Sequence, residues 1–143
     1  MSLFEYARWV AFCDTDAMGV VHHANYLRYF EEARVAWMRA RDLSCTHFPE
    51  ADSALAVVES RIIHRKPAYF GENLTIWMQV KQDGLRVSFR YAMRSDKQGE
   101  AVLAMAETIH VPVNKRLRPT RLDPKFIKVM ESEPWIETWP WSL

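Results

Sequence analysis

A single change of hydrophobic period near residue 54 limits this chain more than any other feature of its sequence. Before it, Tyr26, Phe30, Ala33, Trp37 and Ala40 recur at steps of four, three, four and three, with Leu27 and Met38 widening the stripe. That spacing is one face of an amphipathic helix. The helix is expected to begin near His23 to Asn25 and to end around Arg41 to Leu43, ahead of Pro49. Arg28 with Glu32, and Glu31 with Arg34, have the spacing to pair along its outer faces.

After the change the period is two. Ala54 to Lys66 reads as a long strand stopped by Pro67, and Leu74, Ile76, Met78 and Val80 form the apolar face of the next. Asp83-Gly84 is a hairpin signal, followed by Leu85, Val87, Phe89, Tyr91 and Met93 in alternation with polar residues. After a turn at Asp96 to Gly99, Ala101 to Val113 forms a last strand, in which Pro112 indicates an edge or a bulge. Upstream, Phe4 to Phe12 reads as a strand with Phe4, Tyr6, Val10 and Phe12 on one face and Arg8 breaking the pattern. Asp123-Pro124 opens a short helix over Lys125 to Ser132.

The expected order is strand, long helix, then a four-strand antiparallel meander, an α+β architecture with one helix across a five-stranded antiparallel sheet. One helix is about 10 Å wide, whereas five strands at ~4.8 Å span more than twice that. Part of the sheet and at least one edge therefore need another cover, and edge-to-edge dimerisation supplies it economically.

Composition narrows the function classes. At 143 residues the chain fits a single domain. Nineteen basic against 18 acidic residues leave a formal charge of +1, so no global field attracts nucleic acid. No apolar run approaches the ~20 residues of a membrane span, and stable membrane insertion is not expected. Cys13 and Cys45 make neither a CxxC pair nor a disulfide framework, and residues 1–8 lack a signal-peptide pattern. A reduced, cytoplasmic protein is the expectation.

The chemistry is concentrated in Asp14-Thr-Asp-Ala-Met-Gly-Val-Val-His-His-Ala-Asn-Tyr-Leu-Arg-Tyr-Phe-Glu-Glu-Ala-Arg34. Two carboxylates sit on a turn just before a helix start, where unpaired N–H groups and the positive dipole end can hold an oxyanion. A carboxylate opposite them can act as base or nucleophile, a geometry suited to acyl transfer. Other readings of the same residues compete. Asp14 and Asp16 can serve as turn and capping residues. Asp-x-Asp-x-x-Gly starts like an EF-hand loop, but Met18 and Asn25 stand where oxygen ligands belong. Adjacent His22 and His23 point about 100° apart on a helix and cannot chelate together. Cys13 borders two acids, which disfavours its thiolate.

This run resembles the signature of the hotdog-fold acyl-CoA thioesterases of the 4-hydroxybenzoyl-CoA thioesterase family, most nearly that of the YbgC-type, Tol–Pal-associated branch. That branch carries Asp-Thr-Asp-x-x-Gly-Val-Val-Tyr-His-Ala-Asn-Tyr-Leu and then an acidic, arginine-bearing helix. The likeness is nearly continuous from Asp14 to Arg34 and looser elsewhere, at Arg65-Lys66-Pro67-Ala68 and Arg116-Leu117-Arg118-Pro119. The resemblance implies a hotdog fold over residues 1–132, a sheet wrapped around one long helix and assembled as a homodimer or homotetramer. Residues 133–143 form a Trp/Pro-rich tail without counterpart, expected to pack on the domain or its oligomer interface.

The activity implied is hydrolysis of an acyl-CoA to free acid and CoA, without metal or redox cofactor. By the same resemblance Asp16 is the catalytic carboxylate, as base or nucleophile, and the backbone N–H of His23 polarises the thioester carbonyl. The His23 side chain matches a recurrent histidine that positions substrate or water, and Asn25 caps the helix or orders the loop. Tyr26 belongs to the helix stripe and reads as core. His22 replaces the branch's tyrosine, and Phe12 stands where some members have one. For the CoA phosphates the expected partners are Arg86, Ser88 and Arg90 on one strand face, with Lys115, Arg116 and Arg118 as a second basic group. An acyl carrier protein is the second partner this reading admits. The alternative is a non-catalytic acyl-CoA or acyl-carrier binding protein on the same scaffold. A hydratase and an envelope scaffold docking through the tail rank below it.

Six tryptophans complete the picture. Trp37 is expected in the core, and Trp9 and Trp77 at a subunit interface or on a second covered face. Trp135, Trp139 and Trp141 should pack back on the sheet, fill an intersubunit groove or bind a partner.

Overall fold

The computed structural model describes residues 3–43 and 53–138. Its elements are β1 (Phe4–Trp9), a 3-10 turn (Phe12–Asp14), α1 (His23–Ala40), β2 (Ala54–His64), β3 (Asn73–Asp83), β4 (Arg86–Ser95), β5 (Val102–Val113) and α2 (Pro124–Glu131). The strands make one five-stranded antiparallel sheet in the order β1-β3-β4-β5-β2. The α+β, helix-on-sheet architecture is thus the one the periodicities indicate. Its topology differs from a four-strand meander. Only β3-β4-β5 run consecutively, while β2 crosses to the far side of β5 and β1 takes the place beside β3. Local periodicity carries no information about that crossover, because β2 alternates equally well beside either neighbour.

Alternation does decide what lies under the helix. Leu74, Ile76, Met78 and Val80 of β3 and Val87, Phe89, Tyr91 and Met93 of β4 are all buried against the Tyr26, Tyr29, Phe30, Ala33 and Trp37 face of α1. Trp37 is 1% exposed and meets Phe89 and Phe126 edge-on, so α2 closes the core over the far end of α1. Leu27 and Ala40 fall outside the stripe, and Tyr29 takes the place expected of Leu27. The Arg28–Glu32 and Glu31–Arg34 pairs are present at 3.6 and 3.9 Å.

β1 ends at Trp9, earlier than its pattern suggests, and Phe12 is 75% exposed on the following turn. The Asp14 carboxylate accepts from the Ala11 N–H at 3.2 Å and turns the chain there. Arg8, the apparent break in the pattern, keeps to the inner face by pairing with Glu32 at 2.8 Å and lying over the Tyr29 ring.

Pro112 lies beyond the last β4 partner of β5, Val87↔His110, so it interrupts no ladder on that side. A bulge sits nearby in β2, between Val57 and Glu59. Among the described residues nothing pairs with the outer edge of the 11-residue β2, and Val57 and Val58 are about half exposed. The other end of the sheet is handled differently. β1 covers only Asn73–Met78 of β3, and past it the Gln79 side-chain amide exchanges hydrogen bonds of 3.1 and 2.9 Å with the Ile136 backbone. The segment after α2, tied to the end of α1 by an Arg41–Glu133 ion pair, therefore lies against the outer face of β3 at Gln79. Trp139 and Trp141 lie outside the described residues.

Candidate active site

Residues 10–22 form a strap between β1 and α1, held to the loop before β3. Val10 N–H donates to Glu72 O and Gly71 N–H to Val10 O, both at 2.9 Å, and Val21 N–H donates to Ala68 O at 2.9 Å. Within the strap Thr15 bridges Val21, and Asp16 N–H donates to Val20 O at 2.8 Å. This closes a tight turn at Asp16-Ala17-Met18-Gly19 whose last residue has φ +77°, a conformation that glycine adopts without a Cβ penalty.

The two acids of the turn have opposite fates. Asp14 is 1% exposed and saturated: Tyr29 Oη donates to Oδ2 at 2.7 Å, Arg8 Nη2 lies 3.3 Å from the same oxygen, and Arg28 Nη1 lies 3.9 Å from Oδ1. Burial works to raise the Asp14 carboxyl. The Tyr29 hydrogen bond, the Ala11 N–H and the two guanidiniums outweigh it and hold the group below the usual carboxylate range. The same arrangement drives the Tyr29 phenol up, through burial first and then the adjoining carboxylate. Asp16 is half-buried at the tip. Its Oδ1 accepts from Met18 N–H at 2.8 Å, and its Oδ2 has no partner among the described residues.

The helix start is equally asymmetric. His22 is the N-cap of α1, its Nδ1 accepting from Ala24 N–H at 3.1 Å, and its carbonyl accepts from Asn25 N–H at 2.9 Å. His23 N–H has no acceptor among the described residues, and the residue is exposed. The His23 ring stacks on His22 with centroids 4.3 Å apart. Asn25 Nδ2 donates to Asp14 O at 2.9 Å, and His22 N–H to the same carbonyl at 2.9 Å, so the Asn25 side chain orders the strap while His22 does the capping. Tyr26 is core: its hydroxyl accepts from Ala68 N–H at 3.2 Å, and His64 meets its ring edge-on at 4.7 Å.

Sequence reasoning overlooked Tyr29, Arg8 and Glu72. Tyr29 stands three residues from Tyr26 and so has helical spacing to the buried stripe, a signal that was there to be used. Arg8 and Glu72 carry no comparable signal, because their partners are distant in sequence. Glu72 is buried beside the strap and held by the Gln98 amide at 3.1 and 3.2 Å. Burial, then the Glu72 and Asp16 charges, raise the Tyr26 hydroxyl against the Ala68 N–H.

Arg86, Ser88 and Arg90 share the outer face of β4, away from α1, and the protomer does not bring them to Asp16. The strap joins the sheet where β3 begins and β4 ends, at Leu74↔Ser95, whereas Arg86 pairs with Asp83 at the other end. Nine strand positions at ~3.3 Å each separate Ser95 from Arg86, roughly 30 Å. Arg90 is also engaged, with Glu107 at 2.8 Å and with the Trp135 ring at 4.9 Å, and Lys81 Nζ lies 4.4 Å from that ring. No carboxylate within ion-pair distance is found among the described residues for Arg86 or for Lys115, Arg116, Arg118 and Arg121. The last four surround a rigid turn in which Asn114 Oδ1 accepts from the N–H groups of Arg116 and Arg118, and Leu117 sits at φ +60°.

The chain around this strap has recognisable relatives. Residues 10–139 match the thioesterase-like superfamily, and the chain is a member of it. The chain is 30% identical, over an alignment of 145 positions that covers 96% of its own length and 98% of the relative's, to a 1,4-dihydroxy-2-naphthoyl-CoA hydrolase of Acaryochloris marina. It is 32% identical over 120 residues to the protein of that name in Synechococcus elongatus, covering 82% of this chain and 87% of the other. The crystal structure of a 1,4-dihydroxy-2-naphthoyl-CoA thioesterase from Synechocystis superposes with a TM-score of 0.84 at 26% identity, over 92% of this chain and 97% of that one. The fold is the hotdog fold, and the chain is a thioester hydrolase. No helix among the described residues is long and apolar enough to cross a membrane.

Proposed function

We propose that the protein hydrolyses an acyl-CoA to free acid and CoA with Asp16 as the reacting carboxylate. The observation that carries this is the division of labour on the strap: Asp14 is engaged by Tyr29, the Ala11 N–H, Cys13 Sγ and the guanidiniums of Arg8 and Arg28, while among the described residues Asp16 Oδ2 and the His23 N–H, which follows it in the chain, have no partner. The thioester oxygen would take the His23 N–H, strengthened by the α1 dipole, as negative charge develops on it. Asp16 then either attacks the carbonyl carbon, giving a mixed anhydride that water cleaves, or removes a proton from the attacking water. In both cases the sulfur leaves as CoA thiolate. The His23 ring and Asn25 position substrate and strap.

A homodimer through β2 completes the site in this reading. A twofold pairing of the two exposed β2 edges is antiparallel, so it sets the Arg86 end of one copy beside the Asp16 end of the other. The cations without carboxylate partners, Arg86 with Lys115, Arg116 and Arg118, would then meet the CoA phosphates, and Ser88 assists. A homotetramer of such dimers is the larger form. The acyl group favoured by the names of the relatives is a bicyclic aromatic one. Placement in the YbgC-type branch, a cytoplasmic setting and an acyl carrier protein as second thioester donor rest on the Asp14–Arg34 run and composition alone.

The test is a thiol-trapping assay on aromatic and aliphatic acyl-CoA substrates. Asp16→Asn should lower kcat by at least ~100-fold, a typical contribution of a positioned acid–base group. Thiol release unaffected by that change across the panel rejects the assignment, and saturable binding without any thiol release selects the non-catalytic alternative. Label found in the Asp16 carboxylate after one turnover in ¹⁸O-water identifies the anhydride route, with water attacking the Asp16 carbonyl of the anhydride.

A further inference from the structure

We propose that the indole of Trp135 is the seat for the adenine ring of the coenzyme A substrate, which makes the C-terminal segment a specificity element for CoA thioesters; this rests on the acyl-CoA reading above. Trp135 is half-buried on the outer face of the sheet, and three contacts fix its position. The Gln79–Ile136 pair of hydrogen bonds sets the segment's register on β3, and Lys81 Nζ and Arg90 Cζ lie 4.4 and 4.9 Å from the ring centroid. Both cations rise from that same outer face, Arg90 opposite Gln79 and Lys81 opposite Ser88.

An indole held in this way loses little freedom when a flat heteroaromatic ring stacks on it, which is the condition for a strong nucleobase contact. The surroundings suit the rest of the nucleotide. Arg90 is neutralised by Glu107 and serves to hold the ring, while Arg86, on the same face of β4, has no carboxylate partner among the described residues and is free for a phosphate. A thioester carried on a protein has no adenine and gains nothing from Trp135. The segment therefore discriminates between the two kinds of thioester donor that the site chemistry would otherwise treat alike.

The experiment compares benzoyl-CoA with S-benzoyl-N-acetylcysteamine, which has the same thioester and no nucleotide, in the wild-type chain and in Trp135→Ala, Trp135→Phe and Gln79→Ala. Trp135→Ala should raise KM for benzoyl-CoA about five- to 150-fold, the range of a lost base–aromatic stack, at unchanged kcat. Trp135→Phe should restore most of it, Gln79→Ala should fall between, and KM for the truncated ester should not move. Equal changes for both substrates, or none for either, overturn the proposal. Calorimetry with adenosine 3′,5′-bisphosphate gives a readout independent of turnover. Weaker binding by Trp135→Ala supports the proposal even if the wild-type chain hydrolyses neither ester, a result that would defeat only the thioesterase reading. Equal binding by both chains overturns the adenine site whatever the activity.

Discussion

Tyr29 donates its phenolic proton to Asp14 Oδ2 at 2.7 Å, and this bond separates the roles of two aspartates only two residues apart. With its oxygens facing Tyr29, Ala11, Arg8 and Arg28, Asp14 is a tie between β1, the strap and α1. Asp16, on the tip that Asp14 anchors, keeps an oxygen for chemistry.

Tyr29→Phe should therefore behave as a structural lesion with a functional echo. It leaves a buried carboxylate short of a donor, which costs about 1–3 kcal/mol. Urea denaturation should show that loss, and kcat should fall while KM changes little, because the strap that carries Asp16 loosens.

His22→Ala removes the side-chain cap of α1, and caps of this kind are worth about 0.5–2 kcal/mol. His22→Asn retains an acceptor and should recover most of the thermal stability. Activity should follow the cap, since the freed Ala24 N–H lies next to the His23 N–H and alters the donor array at the helix start.

His110 predicts a particular acid response. It is fully buried in a chain in which Arg34 donates to Tyr91 Oη at 3.3 Å, Tyr91 meets Thr108 at 2.8 Å, and Thr108 meets His110 Nε2 at 2.9 Å. Burial first, and then the Arg34 charge, push the imidazole down to about 3 from its ordinary 6.5, against a smaller upward pull from the Leu55 backbone. The unfolded chain takes up this proton before the folded one does. The stabilisation is complete above pH 6.5 and is lost as pH falls toward about 3. One proton corresponds to roughly 1.4 kcal/mol per pH unit in that window. Denaturation midpoints measured from pH 7.5 to 4.5 should show the slope, and His110→Gln should flatten it.

Charge placed on the free edge of β2 should dissociate the proposed dimer. In Val57→Lys with Val58→Lys, like charges face one another across the twofold axis. Light scattering should report a monomer, and thioesterase activity should fall with the assembled fraction. A dimer that survives the double change excludes β2 as the contact.

The legible part of the fold was whatever repeats locally. Tyr26, Phe30, Ala33 and Trp37 declared the helix face, and the alternations from Leu74 to Val80 and from Val87 to Met93 declared the inner side of the sheet. The crossover of β2 was hidden because its partner, β5, is chosen by contacts distant in sequence. Asp14 to Asn25 could be recognised as a unit, yet nothing along the chain reveals that Asp14 is used up by Arg8 and Tyr29, which arrive from the strand before it and the helix after it. The separation of Arg86 from Asp16 was invisible for the same reason, as it follows from strand direction. Arg8, read as a fault in the β1 pattern, is an inner-face residue whose charge is met by Glu32.

The crossover of β2 also bears on how the chain is made. Among the described residues of one copy, β2 pairs with β5 alone, and β5 leaves the ribosome roughly 40 residues later, a wait of about 2–8 s at ~5–20 residues per second. During that interval an 11-residue strand bearing Val57 and Val58 has both edges open. Neighbouring nascent chains on one message would present the same segment, so β2 is where a self-pairing edge and premature aggregation compete during synthesis.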